Sequence, residues 1–154
     1  MEIYTVSFFG HRQLSDHFAV EERLEPVLRD IIQSKEYVEF LVGRDGEFDQ
    51  LVSSTIRRCK EKYSCGNISH ILVLPYERAD YRDNRKSYEA YYDEVQICYE
   101  SSVAHPKSAI EVRNKSMIDR SDLVICASMH SGGADKAMRY AIRQGKKVIN
   151  LIEK

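Results

Sequence analysis

The chain has 154 residues, 31% of them charged and 43% hydrophobic, with 23 Lys+Arg against 24 Asp+Glu for a net charge of -1. The length suits a single domain over residues 1–154 with one core. The charge balance argues against a dedicated duplex-DNA binder, and the ten tyrosines and five phenylalanines with only three prolines argue against disorder.

The opening Met1-Glu2-Ile3 carries an acid where a secretory leader carries bases. No apolar run reaches the ~20 residues of a membrane span. A cytoplasmic protein without membrane contact is expected. Cys59, Cys65, Cys98 and Cys126 form no CxxC pair, and no two of His11, His17, His70, His105 and His130 stand four apart. The pattern therefore calls for neither a disulfide nor a metal centre.

In chain order, Ile3 to Phe9 has the β-branched and aromatic character of a strand. Leu24, Val27, Leu28, Ile31 and Ile32 repeat as one helix face, with Ser15 or Asp16 to cap it. Pro26 predicts either a kink or a late start. Tyr37 to Val42 reads as the second strand. Phe48, Leu51, Val52, Ile56 and Cys59 mark a second helix, capped by Asp45 and closed by Gly66. Ile71-Leu72-Val73-Leu74, ended by Pro75, is a strand covered on both faces.

Residues 76–86 are polar and read as loop. Tyr88, Tyr91, Tyr92 and Val95 then recur at helical spacing, with a short strand available near Val95 to Cys98. Pro106 opens the next helix, whose inner face is Ala109, Ile110, Met117 and Ile118. Leu123 to Cys126 is another buried strand. Ala134, Ala137, Met138, Ala141 and Ile142 form a helical stripe ended by Gly145, and Val148 to Ile152 is the last strand. Such alternation predicts an α/β fold, a mostly parallel sheet with helices on both faces. Ligands of such sheets bind at the carboxyl ends of the strands, so the turns after strands are the places to search.

Three turns stand out. Gly10-His11-Arg12 joins a flexible backbone to two anion donors; a turn glycine with two solvated side chains would look the same. Gly43-Arg44-Asp45-Gly46, followed by Asp49, opens a helix. A tight turn capped by Asp45 accounts for its glycine and acid. It leaves Arg44 unexplained, since a cation is unfavourable at a helix N-terminus unless a ligand, Asp45 or Asp49 answers it. Ser131-Gly132-Gly133 opens the last helix and offers N–H groups to a phosphate or carboxylate, although many strand-helix turns use paired glycines. Arg113 and Asn114 lie on the side of their helix that carries Met117; an exposed arginine and a loop-bonding asparagine are the plain alternative.

Phe9 to Arg12, Gly43 to Asp49, Arg113 to Asp122 and Ser131 to Val148 together resemble the SLOG superfamily, which takes in the SMF/DprA and LOG proteins, and most closely its YpsA-like branch. The resemblance implies a Rossmann-like three-layer α/β/α sandwich. It implies a pocket for a nucleotide or nucleotide-derived ligand, lined by Gly10, His11, Arg12, Gly43, Gly46, Asp49, Arg113, Asn114, Ser131, Gly132 and Gly133. LOG phosphoribohydrolases carry a glutamate where this chain has Ala137, and YpsA-like proteins more often have threonine where it has Ala134.

The leading expectation is a binding module for a phosphorylated nucleoside, with Arg12, Arg44 or Arg113 as anion contacts and no cofactor. The alternatives are an N-glycosidic hydrolase, with Asp45, Glu47, Asp49 or Asp119 as acid, and a non-enzymatic homo-oligomer. The tyrosines at 88, 91, 92 and 99 suit an interface, a cover for the sheet edge, or a platform for a base.

Overall fold

The strands of the computed structural model, which describes residues 1–152, fall where the apolar runs predict them. In chain order the elements are β1 (Ile3–Gly10), α1 (His17–Ser34), β2 (Tyr37–Val42), α2 (Glu47–Tyr63) and β3 (Ile68–Leu74). Next come α3 (Ala79–Asp83), α4 (Arg85–Tyr91), β4 (Glu94–Ile97), α5 (Tyr99–Ser102) and α6 (Ala109–Asp119). The chain then runs through β5 (Leu123–Ala127), α7 (Gly132–Arg143) and β6 (Lys147–Asn150).

All strand pairs are parallel, in the order β4-β3-β2-β1-β5-β6. Alternation along each strand feeds two cores. Val6 and Phe8 of β1 join Leu24 and Leu28 of α1 and Phe48 and Val52 of α2 on one face. Phe9 of β1 and Val124 and Cys126 of β5 join Met117 of α6 and Met138 and Ala141 of α7 on the other. This is the Rossmann-like α/β/α sandwich. The chain moves from β1 to β2 on one side and returns to β5 on the other, so a crevice opens at the carboxyl ends of β1 and β5.

Several local expectations are corrected. The polar stretch after Pro75 contains the short helix α3, because Tyr81 turns inward and packs edge-on against Tyr88 at 5.1 Å between ring centres. Pro26 does not delay α1, which runs from His17 through it to Ser34: Asp16 caps the helix by accepting from the Ala19 N–H at 3.0 Å. Pro26 lies on the exposed face beside Glu22, whose carbonyl loses its helical donor where water can replace it. Pro106 precedes α6 by a turn instead of opening it. Ile110 and Ile142 are 40% and 58% exposed and leave the inner faces of their helices, while Arg113 and Asp135 lie inside theirs. The last strand stops at Asn150.

All four cysteines are free, and burial pushes the Cys59 thiol up to about 11 and Cys126 up to about 12. Among the described residues no helix is long and apolar enough to cross a membrane, and no cluster of His, Cys, Asp and Glu is suited to a metal.

Candidate functional site

Four segments distant in sequence meet at the switch point. The turn after β1 contributes Gly10, His11 and Arg12; the turn after β2 contributes Gly43, Asp45, Gly46 and Asp49. Arg113 and Asn114 of α6 form one wall, with Gly133 and Ala134 of α7 opposite the β-turns. The cleft they enclose holds about 330 Å³.

Backbone bonds fasten the first two turns together. The N–H groups of Glu47 and Phe48, at the start of α2, donate to the carbonyls of Arg12 and His11 at 2.8 and 3.4 Å. The N-terminus of α2 is thus capped by the β1 turn, and its donors are spent inside the protein. Gly46 is required for this crossing: a Cβ there would lie 2.8 Å from the Arg12 Cα. A Cβ on Gly10 would lie 2.2 Å from Cγ of Phe48, so Gly10 admits the aromatic ring that seats α2 on the sheet. Its missing side chain serves packing first, where the turn alone suggested close approach to a ligand.

His11 ties the first turn to the last. The Met129 N–H donates to His11 Nε2 at 2.8 Å, which places the ring proton on Nδ1. The last turn is braced again from β6. Asn150 Oδ1 accepts from the Ser128 N–H and its Nδ2 donates to the Ser128 carbonyl, each at 3.0 Å. Only the β5–β6 pairing brings Asn150 there, and no sequence pattern marks it out. His130 follows in the left-handed region at φ 66°, with Nδ1 3.8 Å from Asp135 Oδ1.

At the mouth of α7, Ser131 occupies the cap position but its side chain makes no cap bond. Among the described residues no group outside the helix accepts from the N–H groups of Gly132, Gly133 or Ala134. Gly132 needs its flexibility, at φ 69°, to turn the chain into the helix, whereas a Cβ on Gly133 would meet nothing within 4 Å. Gly133 and Ala134 line the cleft, and Ser131 and Gly132 lie outside its lining. This helix start is the anion-seeking end of the cleft.

Arg113 is the buried cation of the site, 8% exposed. Its Nη1 donates to the Val73 carbonyl at 3.0 Å and its Nε to Asn114 Oδ1 at 3.1 Å. Asn114 therefore orients Arg113 as well as lining the cleft. The second terminal nitrogen of Arg113 has no bond to any described residue. Burial lowers the guanidinium's hold on its proton, and Asp49 and Asp45 oppose that effect. Arg12, exposed at the rim, makes no side-chain bond to a described residue.

Asp49 faces Arg113 across Gly43. A Cβ on Gly43 would lie 2.9 Å from Asp49 Oδ2 and 3.6 Å from Arg113 Nη1, so the glycine keeps the two charged groups in one hollow. Burial pushes the Asp49 carboxyl up to about 6, against the pull of Arg113 and of the Asp45 N–H, which donates to Oδ2 at 3.2 Å.

Two expectations about the second turn are corrected. Asp45 is not the cap of α2; that position is Gly46. Asp45 instead makes a two-pronged pair with Arg78, with Arg78 Nη1 2.6 Å from Oδ1 and Nη2 bonded to Oδ2. Hydrogen bonding from Arg78 holds the Asp45 carboxyl below its usual range. Arg78 belongs to the stretch read as loop, and only the fold brings it to Asp45. Arg44 pairs with neither Asp45 nor Asp49, nor does it line the cleft. Its guanidinium lies 4.2 Å above the Tyr88 ring and donates to the Tyr92 hydroxyl at 3.4 Å. The tyrosines supply the stabilisation a cation needs at that position.

Tyr88 and Tyr92 are buried in the core, as the covering role predicts. Tyr91 is 37% exposed and Tyr99 is 73% exposed. The remaining acids have other partners. Glu47 accepts from the Leu14 N–H at 3.0 Å and pairs with His17. Asp119 accepts from Tyr140 at 2.7 Å, away from the cleft.

These features define a six-stranded parallel α/β sandwich with a polar cleft at its switch point. The solved structure of DNA processing protein A (DprA) from Streptococcus pneumoniae is similar to it over 95% of this chain, with a TM-score of 0.64 and 16% sequence identity. This chain spans about half of that one, 49% of its length, and the likeness is one of fold. No family model and no curated protein matches the sequence.

Proposed function

We propose that the protein binds a nucleotide or nucleotide-derived phosphorylated ligand in the cleft at the carboxyl edge of its sheet, as the resemblance to the YpsA-like branch implies. The observation that carries this reading is the pairing of Arg113 with the start of α7. A buried guanidinium with an uncommitted nitrogen and a helix N-terminus with unspent N–H groups line the same 330 Å³ cleft. Burial of Arg113 outweighs the pull of Asp49 and Asp45, and a phosphate satisfies the guanidinium and the helix together. Arg12 at the rim supplies a further cation without breaking any internal bond. His11 and Asn150 hold the turns in place.

The test is calorimetric titration and thermal denaturation with AMP, ADP-ribose and NAD. A ligand at 100 times its dissociation constant adds about 2.7 kcal/mol to stability. Arg12→Ala and Gly133→Val remove or obstruct cleft groups without disturbing a packed neighbour, and both should weaken binding while the circular dichroism spectrum stays that of the wild type. Binding of all three ligands undiminished by both substitutions, or no binding to the wild type, refutes the proposal.

Asp49 favours a second reading, hydrolysis of the N-glycosidic bond. A carboxyl brought to about 6 inside the cleft exchanges its proton near neutral pH, whereas Arg78 holds the Asp45 carboxyl low and Glu47 and Asp119 do not line the cleft. Release of free base from AMP, abolished in Asp49→Asn, supports hydrolysis; binding without release leaves the binding module.

A further inference from the structure

A second groove of about 330 Å³ runs between α6 and α7 and meets the cleft at Ile110, Asn114 and Gly133, which line both. Its charge is unlike that of the whole chain. Five basic side chains line it, Lys107, Lys115, Lys136, Arg139 and Arg143, against the single acid Glu111, although the protein carries a net charge of -1. Two of the five are already answered: Lys115 pairs with Glu111 at 3.4 Å and Arg139 with Asp135 at 2.7 Å. Lys107, Lys136 and Arg143 have no ionic partner among the described residues. Between these cations the groove presents an apolar strip, the exposed side chain of Ile110 and the ring of Tyr140, backed by the buried Ile118 and Ala137. The Tyr140 hydroxyl is anchored to Asp119 at 2.7 Å.

We propose that this groove is a second subsite for the ligand of the cleft, and that the ligand is a dinucleotide. One phosphate lies at Arg113 and the start of α7. The chain then crosses the saddle of Asn114 and Gly133, and the second unit lies in the groove, its phosphate against Lys136 and Arg143 and its base on the apolar strip. This inference rests on the cleft reading and extends it. A mononucleotide needs one anion site, whereas three uncommitted cations continuous with that site match a second phosphate, and an apolar floor matches a heteroaromatic base. The open space at Gly133 leaves the saddle clear for a connecting backbone.

The test compares AMP with the linear 5′-phosphorylated diadenylate pApA by calorimetry, on the wild type and on Lys136→Gln/Arg143→Gln. Both positions are exposed, so the double variant folds; its thermal midpoint serves as the check. The wild type should bind pApA about tenfold more tightly than AMP, as one added charge-assisted phosphate contact allows. The double variant should lose that gain and bind AMP as the wild type does. Equal affinity for AMP and pApA, or a double variant that keeps the full preference for pApA, overturns the proposal and leaves the cleft reading standing. Failure of the wild type to bind either compound overturns both. Hexaglutamate that binds the wild type, loses affinity in the double variant and is not displaced by pApA assigns the groove to an acidic peptide and overturns the dinucleotide.

Discussion

Replacing Asp49 with asparagine removes a carboxylate that burial pushes up to about 6. The group moves from 3.8 to about 6 on folding, so between those two values the folded chain holds a proton that the unfolded chain has lost. Stability contributed by this group is then greatest at pH below 4 and falls as pH rises through 6, beyond which it is flat. A shift of about two units at 1.36 kcal/mol each sets an upper bound of about 3 kcal/mol for the cost at neutral pH. Asparagine keeps an oxygen for the Asp45 N–H but gives up the attraction to Arg113. The net gain for Asp49→Asn should therefore be on the order of 1–2 kcal/mol at pH 7.5 and close to zero at pH 4.

Urea unfolding of both proteins at pH 4, 5, 6 and 7.5, followed by circular dichroism, reads this difference directly, and titrating groups distant from Asp49 cancel in the comparison. A wild type–variant difference that stays constant across the range refutes the reasoning. The same shift predicts ligand linkage. A phosphate in the cleft should raise the Asp49 carboxyl further, so AMP binding near pH 7 should take up protons in the wild type and fewer in Asp49→Asn. Titrations in buffers of different ionisation enthalpy measure that number.

Gly10→Ala places a Cβ 2.2 Å from Phe48 and should cost about 1–3 kcal/mol or more in urea unfolding. Gly133→Ala meets no neighbour and should be neutral or stabilising by up to about 1 kcal/mol through helix propensity. Burial lowers His70 to about 4, so its unfolded form binds protons first, and stability present above pH 6.5 is lost as pH falls toward 4. His70→Phe should flatten the thermal midpoint in that window, although it also strands the Ser53 hydroxyl that lies 2.9 Å from His70 Nε2. Arg78→Met should destabilise the turn after β2, because Asp45 loses both of its bonds, and Asp45→Asn in that background should recover part of the loss in a double-mutant cycle.

Legibility differed by the range of the interaction. Strands such as Leu123–Ala127 and the stripe of Ala134, Ala137, Met138 and Ala141 follow from periodicity, because burial on one or both faces writes itself into neighbouring residues. The glycine-bearing turns were likewise visible, and the three-turn pattern pointed to Arg12, Gly43, Asp49 and Gly133 as neighbours of one cleft. Individual side-chain roles were less legible. Arg44 and Asp45 are adjacent, yet one turns to Tyr88 and Tyr92 and the other to Arg78. Those partners lie more than thirty residues away, and local spacing carries no trace of them.

The amino-acid sequence by itself determined the alternation of strand and helix, the parallel sheet it requires, and the edge at which the cleft opens. Tertiary structure decided which donors remain available there. It spent the N-terminus of α2 on the carbonyls of His11 and Arg12 and, among the described residues, gave no partner to the first N–H groups of α7 or to one nitrogen of the buried Arg113. The physical reason is that hydrophobic periodicity is a property of consecutive residues, whereas the satisfaction of a polar group depends on whichever distant segment packing brings beside it.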